Sequence, residues 1–174
     1  MDTMVAGSSW HAAGRGRFLE RCVGFLMDEV SFKFDDLDVV FGVRALATMM
    51  SYRQKNFFSK EAGGQLFGNR HRKNWLIEVA TGPRRGDKRG RFHFWPDRRA
   101  EQAEIDLLYR EGLEFLGDWH THPEDIPRPS NSDITSIENV VRASEHSLPG
   151  ILLCIVGRLD PPDGFWVSFH RATP

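Results

Sequence analysis

From Val43 the apolar positions fall at Val43, Leu46, Ala47 and Met50, the spacing of a helix with one buried face, which predicts a first helix ending near Arg53. Before it, Ser31-Phe32-Lys33-Phe34 alternates as a half-buried strand does and adds a strand or hairpin to the domain edge, whereas Met1 to Arg17 shows no period and reads as a tail. Gly64-Gln65-Leu66-Phe67-Gly68 predicts a strand entered through a glycine pair, where the backbone passes close to a neighbour. Polar Asn69 to Asn74 then leads to a second strand, Trp75 to Ala80, and so to a hairpin. Pro96-Asp97 opens a second helix with Asp97 as N-cap, Gly112 just past its end, and Ala100, Ala103, Leu107 and Leu108 towards the sheet. Leu116 to His122 follows as a strand. A third helix with Ile134, Ile137, Val140 and Val141 on one face runs to about His146 and is broken by Leu148-Pro149-Gly150. Ile151 to Val156 is a continuous apolar strand of the kind buried on both faces, and Pro161-Pro162-Asp163-Gly164 turns the chain into a last strand, Phe165 to His170. The order predicts an α/β fold, one mixed sheet flanked by helices, in a single domain over 35–174 preceded by a tail and added strand over 1–34.

Composition narrows the partners. The 174 residues suffice for one domain with a real core, and 40% hydrophobic with 27% charged residues is the balance of a globular protein. A formal net charge of -1 gives no general attraction to nucleic acid or membrane. Cys22 and Cys154 lie far apart in apolar surroundings and match no metal or redox spacing, so reduced thiols and a cytoplasmic location are expected. No apolar run approaches membrane-spanning length. The single basic block, Arg84-Arg85-Gly86-Asp87-Lys88-Arg89-Gly90-Arg91 before Phe92-His93-Phe94-Trp95, is the best nucleic-acid feature in the chain, but its shortness favours a solvated hairpin loop leading into a strand. His93 is then a strand residue without a partner, and His71, His146 and His170 are ordinary surface or core histidines.

The candidate chemistry lies between Gly117 and Asp133. Side chains two apart on a strand share a face, so His120 and His122 can reach one point. After a loop stiffened by Pro123, Pro127 and Pro129, the chain delivers Asp133 at the start of a helix. Two imidazoles and one carboxylate suit zinc, and a fourth position left for water marks a catalytic rather than a structural site. Each half taken separately has a plain reading: a surface histidine pair, and in Ser130-x-x-Asp133 a helix-capping pattern. Their fixed order behind Glu61-Ala62-Gly63-Gly64-Gln65-Leu66-Phe67-Gly68 is much harder to obtain by accident.

In this order the motifs resemble the JAMM, or MPN-plus, zinc metalloproteases that remove ubiquitin and ubiquitin-like proteins. Glu61, Gly64, Leu66 and Gly68 match the first motif, His120, His122 and Pro123 the second, and Ser130 and Asp133 the third, and the likeness in motif order spans Phe41 to Phe169. Gly117-Asp118-Trp119-His120-Thr121-His122-Pro123 and Ala80-Thr81-Gly82-Pro83 look like bacterial members found in antiphage operons beside a ubiquitin-transfer-like enzyme and a cyclic-nucleotide synthase. The resemblance implies one zinc ion per chain on His120, His122 and Asp133, Glu61 as general base and proton carrier, and Ser130 as donor to the oxyanion. It implies as substrate a ubiquitin-like modifier, or a protein conjugated in a ubiquitin-like way such as the synthase, cut after a C-terminal glycine lying extended in a groove. Residues that bind the substrate are unassigned at this level. Two related activities remain open, trimming of a sulfur-carrier tail and a non-catalytic scaffold role. A branch linked to DNA metabolism is disfavoured by Thr121, Glu124 and Asp125, where that branch has Asn, Ser and Gly.

Overall fold

A computed structural model describes residues 3–5, 28–143 and 148–171. Among these, ten strands and three helices follow in the order β1 (Thr3–Val5), β2 (Val30–Phe34), β3 (Leu37–Phe41), α1 (Val43–Ser51), β4 (Gly63–His71), β5 (Asn74–Ala80), β6 (Lys88–Arg89), β7 (Phe94–Trp95), α2 (Arg98–Arg110), β8 (Glu114–Thr121), α3 (Asn131–Ala143), β9 (Gly150–Val156) and β10 (Phe165–Arg171). Eight strands form one mixed sheet in the order β1-β10-β9-β8-β4-β5-β3-β2, and β6 pairs with β7 in a separate ribbon. The α/β architecture anticipated from the apolar pattern is the one observed.

The centre of the sheet is β8, antiparallel to β4 on one side and parallel to β9 on the other. Residues of β9 are buried throughout, as its unbroken apolar run requires. Trp119, Thr121 and α1 lie on one face; Asp118 and His120 alternate onto the other, where α2 and α3 pack. The core contains Trp75, Trp119, Phe41, Phe67 and Phe169, with Trp75 and Phe169 meeting edge to face at 5.5 Å. Two glycines of β4 are enforced by close approach: a Cβ on Gly64 would stand 2.1 Å from the Thr81 carbonyl oxygen, and one on Gly68 would stand 1.8 Å from that of Leu76.

Ser31–Phe34 forms the outer strand of a β2–β3 hairpin at the sheet edge, as its alternation led one to expect. Other expectations shift. Thr3–Val5, inside the stretch expected to be a tail, pairs antiparallel with β10; three residues are too few to show a period. The continuation of α3 to His146, with His146 and Cys22, lies outside the described residues.

The largest correction concerns α2. Asp97 caps it as expected, accepting from the backbone N–H groups of Arg99 and Ala100, and Gly112 follows at φ 87. Its inward face, however, is Glu101, Glu104, Ile105 and Leu108, while Ala103 and Leu107 are exposed. Charge pairing sets this rotation: Glu101 accepts from Arg98 at 2.8 Å and lies 3.7 Å from Arg84 Nη1, and Arg84 Nη2 donates to Glu104 and, at 3.0 Å, to Gln65 Oε1. Arg84, expected in a solvated loop, is therefore buried beneath the helix. Facing this layer from β8 is Asp118, whose carboxyl is pushed up to about 7, first by burial and then by the charge of Glu101.

Two outcomes follow from this packing. Gly68→Ala forces a shift of the Leu76 backbone and is expected to cost about 1–3 kcal/mol, read from urea unfolding midpoints. Because the folded state holds the Asp118 proton more tightly than the unfolded chain does, this carboxyl costs stability as pH rises from about 4 to 7. The melting temperature of Asp118→Asn should accordingly gain on that of the parent across this window and keep a constant lead above it.

Candidate metal and catalytic site

Strand geometry presents His120 at the end of β8. His122 stands one residue beyond the strand, but its N–H donates to Val156 O at 2.9 Å, so the extended backbone continues and both imidazoles lie on the same face. Thr121 between them points to the opposite face, is fully buried, and accepts from the Ala62 N–H through Oγ1 at 3.0 Å while its own N–H donates to Ala62 O at 2.8 Å. The Thr121 hydroxyl donates in turn to Gln54 Oε1 at 3.2 Å. Glu61 is thereby tied to the histidine strand through its neighbour.

A second grip comes from the basic loop. The Glu61 N–H donates to Gly90 O and Arg89 Nε donates to Glu61 O, each at 2.7 Å. Arg91 lies over the ring of Phe57 at 4.2 Å and donates to the Phe57 carbonyl. With Arg84 buried, the block is in large part a structural clamp rather than the solvated loop that its charge implied. His93 also has a partner after all, stacking on Trp95 at 4.6 Å. Thr81, in the run before this block, accepts from Trp119 Nε1 at 2.9 Å through its carbonyl and from the Gln65 N–H at 3.0 Å through Oγ1. That run thus braces β4 and β8 together.

Asp133 arrives on the first turn of α3. The Ser130 N–H and hydroxyl both donate to Asp133 Oδ2, at 2.6 and 2.7 Å, and the Asp133 N–H returns to Ser130 Oγ at 3.3 Å. This is a reciprocal helix cap, and it also aims the carboxylate. The capping reading of Ser130-x-x-Asp133 is the one observed, and the cap is compatible with a further use of the carboxylate.

The four groups converge. His120 Nε2 and His122 Nε2 are 3.2 Å apart, and they stand 3.3 and 3.4 Å from Asp133 Oδ1 and Oδ2 respectively. Glu61 Oε1 is farther, 4.0 Å from His120 Nε2. Tetrahedral metal–ligand bonds of about 2.0–2.1 Å space neighbouring donors about 3.3–3.4 Å apart, so the imidazoles and Asp133 present donors at the right separation. Glu61 forms with the two histidines a set of candidate ligand atoms within 4.8 Å of one another, but its greater distance suits a group acting beside a metal better than one on it.

Electrostatics agree with this division. Burial drives His120 below the ordinary imidazole range despite its bond to Asp133, favouring the neutral form that ligates metals. For His122 burial also opposes charge, but the Asp133 hydrogen bond and charge outweigh it and raise the group. The Asp133 carboxyl is held far below its usual range, because hydrogen bonds from His120, His122 and Ser130 overcome its burial. Glu61 is pushed up to about 7, chiefly by burial, with His122 opposing and Asp133 adding to the rise. A carboxyl there is balanced between taking and giving a proton near neutrality.

The motifs assign no part in the site to Thr121, Gln54 or Arg89. Alternation would have revealed Thr121, since a residue between two ligands must face the opposite side. Nothing local to Gln54 or Arg89 signals a role.

Comparison with known proteins bears on this geometry. Residues 43–169 match the model of the prokaryotic homologs of the JAB domain. The chain is 37% identical over 139 residues to a protein of Escherichia coli (strain TW11681) named CD-NTase/cGAS isopeptidase, covering 77% of this chain and 86% of that one. A Vibrio cholerae protein of the same name is 32% identical over 152 residues, covering 82% and 90%. A probable metalloprotease of Sinorhizobium fredii is 41% identical over 73 residues, 38% of this chain and 44% of that one. A solution structure from Desulfitobacterium hafniense superposes with a TM-score of 0.51 at 21% identity, covering 72% of this chain and 86% of that one, and supports the fold. With the family matched over most of its length and the Glu, His, His and Asp groups gathered at one point, the chain belongs to the prokaryotic JAB-domain family and is a JAMM-type hydrolase, an isopeptidase that works with a metal.

Proposed function

We propose that the protein is a zinc-dependent isopeptidase that cuts after the C-terminal glycine of a cyclic-nucleotide synthase, or of a ubiquitin-like modifier, and so releases it from target lysines. The observation that carries this reading is the convergence of two imidazoles and one carboxylate at tetrahedral spacing, with a second carboxylate 4.0 Å from the nearer imidazole. The relatives named CD-NTase/cGAS isopeptidases support the choice of substrate. A cytoplasmic setting in a bacterium accords with it, and no helix among the described residues is long and apolar enough to cross a membrane.

His120, His122 and Asp133 would hold the zinc. Bound there, zinc supplies a Lewis acid that makes water a competent nucleophile near neutral pH. Glu61 would take a proton from the attacking water on its carboxylate and deliver it to the departing lysine nitrogen, which leaves poorly as an anion. Burial of Glu61 matches its proton affinity to this shuttle. Arg89 and Gly90 hold the Glu61 backbone on both sides, so the side chain is aimed by the β6–β7 ribbon. Ser130 Oγ orients Asp133 and also contacts Ser132 Oγ at 2.8 Å; to serve the developing oxyanion its single proton would turn away from Asp133.

The direct test is incubation with a conjugate made by the ligase encoded beside this protein, with zinc or with a chelator. Chelation should abolish release of the synthase, and added zinc should restore it; absence of both metal binding and cleavage would leave a scaffold as the better account. Glu61→Gln should lower turnover by about 100 to 10,000-fold while metal content, measured by atomic emission, stays at one per chain. Ser130→Ala is expected to lose about 100 to 1000-fold. Arg89→Ala should depress kcat with little change in KM, since it disturbs the aim of Glu61 rather than the substrate groove; an unchanged kcat would remove Arg89 from the mechanism.

A further inference from the structure

Gln54, a short way past α1, is buried, and its amide uses both its donor and its acceptor ends. Oε1 accepts from the Thr121 hydroxyl at 3.2 Å, while Nε2 donates to Arg91 O at 2.8 Å and to Ser59 O at 3.2 Å. The Thr121 oxygen already accepts from the Ala62 N–H, so its own proton needs the acceptor that Gln54 provides. The reverse orientation of the amide would set its oxygen against two carbonyls, which fixes the direction of every bond in the set. Glutamate at this position would offer acceptors only, and methionine neither kind of group; each would leave Arg91 O without the donor it has here.

These bonds close a ring around Glu61. From Thr121 the contacts run through its paired bonds with Ala62 to Glu61. They continue from the Glu61 N–H to Gly90 O and from Arg89 Nε to Glu61 O, pass along the backbone to Arg91, and return through Gln54 to Thr121. Glu61 is thus supported by the histidine strand on one side and by the basic block on the other, and Gln54 ties the two supports to each other. It does so from behind the site, since Thr121 faces away from the imidazoles and Gln54 is not among the residues that line the 440 Å³ catalytic cavity.

Resting on the isopeptidase reading, we infer that Gln54 is a positioning residue for catalysis, which locks the basic block to the histidine strand and so fixes where the Glu61 carboxylate stands relative to the imidazoles. That carboxylate lies 4.0 Å from His120 Nε2, and it has to meet first the attacking water and then the departing nitrogen. A displacement of about 1 Å at such a group can cost about 100-fold in rate. Opening the ring at Gln54 frees the basic block to shift against β8 and carries the Glu61 backbone with it. The metal donors are spared, because Asp133 is aimed by Ser130 and the backbone at His122 is held by Val156.

The test is Gln54→Met, similar in size and without donor or acceptor, assayed on the conjugate with zinc. kcat should fall about 10 to 100-fold with KM within about two-fold of the parent. Metal content and the visible absorption of the cobalt-substituted protein should match the parent, which separates an effect on Glu61 from one on the metal donors. In a Glu61→Gln background, followed by single turnover, Gln54→Met should cost nothing further, because the group it aims is gone. Thr121→Val opens the same ring from the other side; it should lose a similar factor and combine with Gln54→Met without additional loss. Parental kcat in Gln54→Met, a full additional loss in the Glu61→Gln background, or an altered cobalt spectrum overturns the proposal. So does the unfolding of both Gln54→Met and Thr121→Val at the assay temperature, read from urea midpoints, which would make Gln54 a residue of the fold alone. Cleavage by the parent with no effect of Gln54→Met removes the positioning role and leaves the isopeptidase, whereas a zinc-loaded parent that leaves the conjugate intact removes the isopeptidase reading itself.

Discussion

The antiparallel register of β4 against β8 is the constraint on which the site depends. It places Gly63 opposite His120, and the reciprocal bonds between Ala62 and Thr121 extend the pairing by one step towards Glu61. A slip of one residue would send Thr121 to the cavity and both histidines to the α1 side. Gly64 and Gly68 protect this register, because only a strand stripped of side chains can pass so near the carbonyls of Thr81 and Leu76. The glycines of the first motif therefore belong to the same device as its glutamate.

Around that register the protein keeps unusual charges. The Glu61 carboxyl is buried and raised, Asp133 is half-buried and lowered, and both lie within 4.0 Å of His120 Nε2. The difference is hydrogen bonding: Asp133 receives donors from Ser130 and from both histidines, whereas for Glu61 burial outweighs the opposing charge of His122. Two carboxylates in one pocket thus take opposite tasks, ligand and proton carrier.

A second charged layer docks α2. Arg84, Arg98, Glu101 and Glu104 join helix to sheet where most helices use aliphatic side chains, and they rotate α2 away from the face that Ala103 and Leu107 would select. Buried ion pairs of this kind contribute little net stability because desolvation offsets attraction. Their effect is positional, since they bring Asp118 and Glu101 to the far end of the catalytic cavity.

Glu61 and the role of Ser130 were drawn from the resemblance to the family's motifs, whereas strand alternation and helix capping, local rules that spacing expresses, were enough to set His120 beside His122 and Asp133 at a helix start. The same holds for α1, α3, β5, β9 and β10, whose periods are strong or whose ends carry glycine and proline. What the sequence could not express was pairing between distant residues. That Arg84 is buried, that Arg89 holds Glu61 and that Gln54 supports Thr121 depend on contacts spanning 20, 28 and 67 positions. Thr3–Val5 is a strand only because β10 leaves an edge for it. Local geometry selected the chemical groups, and tertiary packing decided their distances, their proton affinities and what else shares the cavity, because burial and long-range pairing exist only once the sheet has assembled.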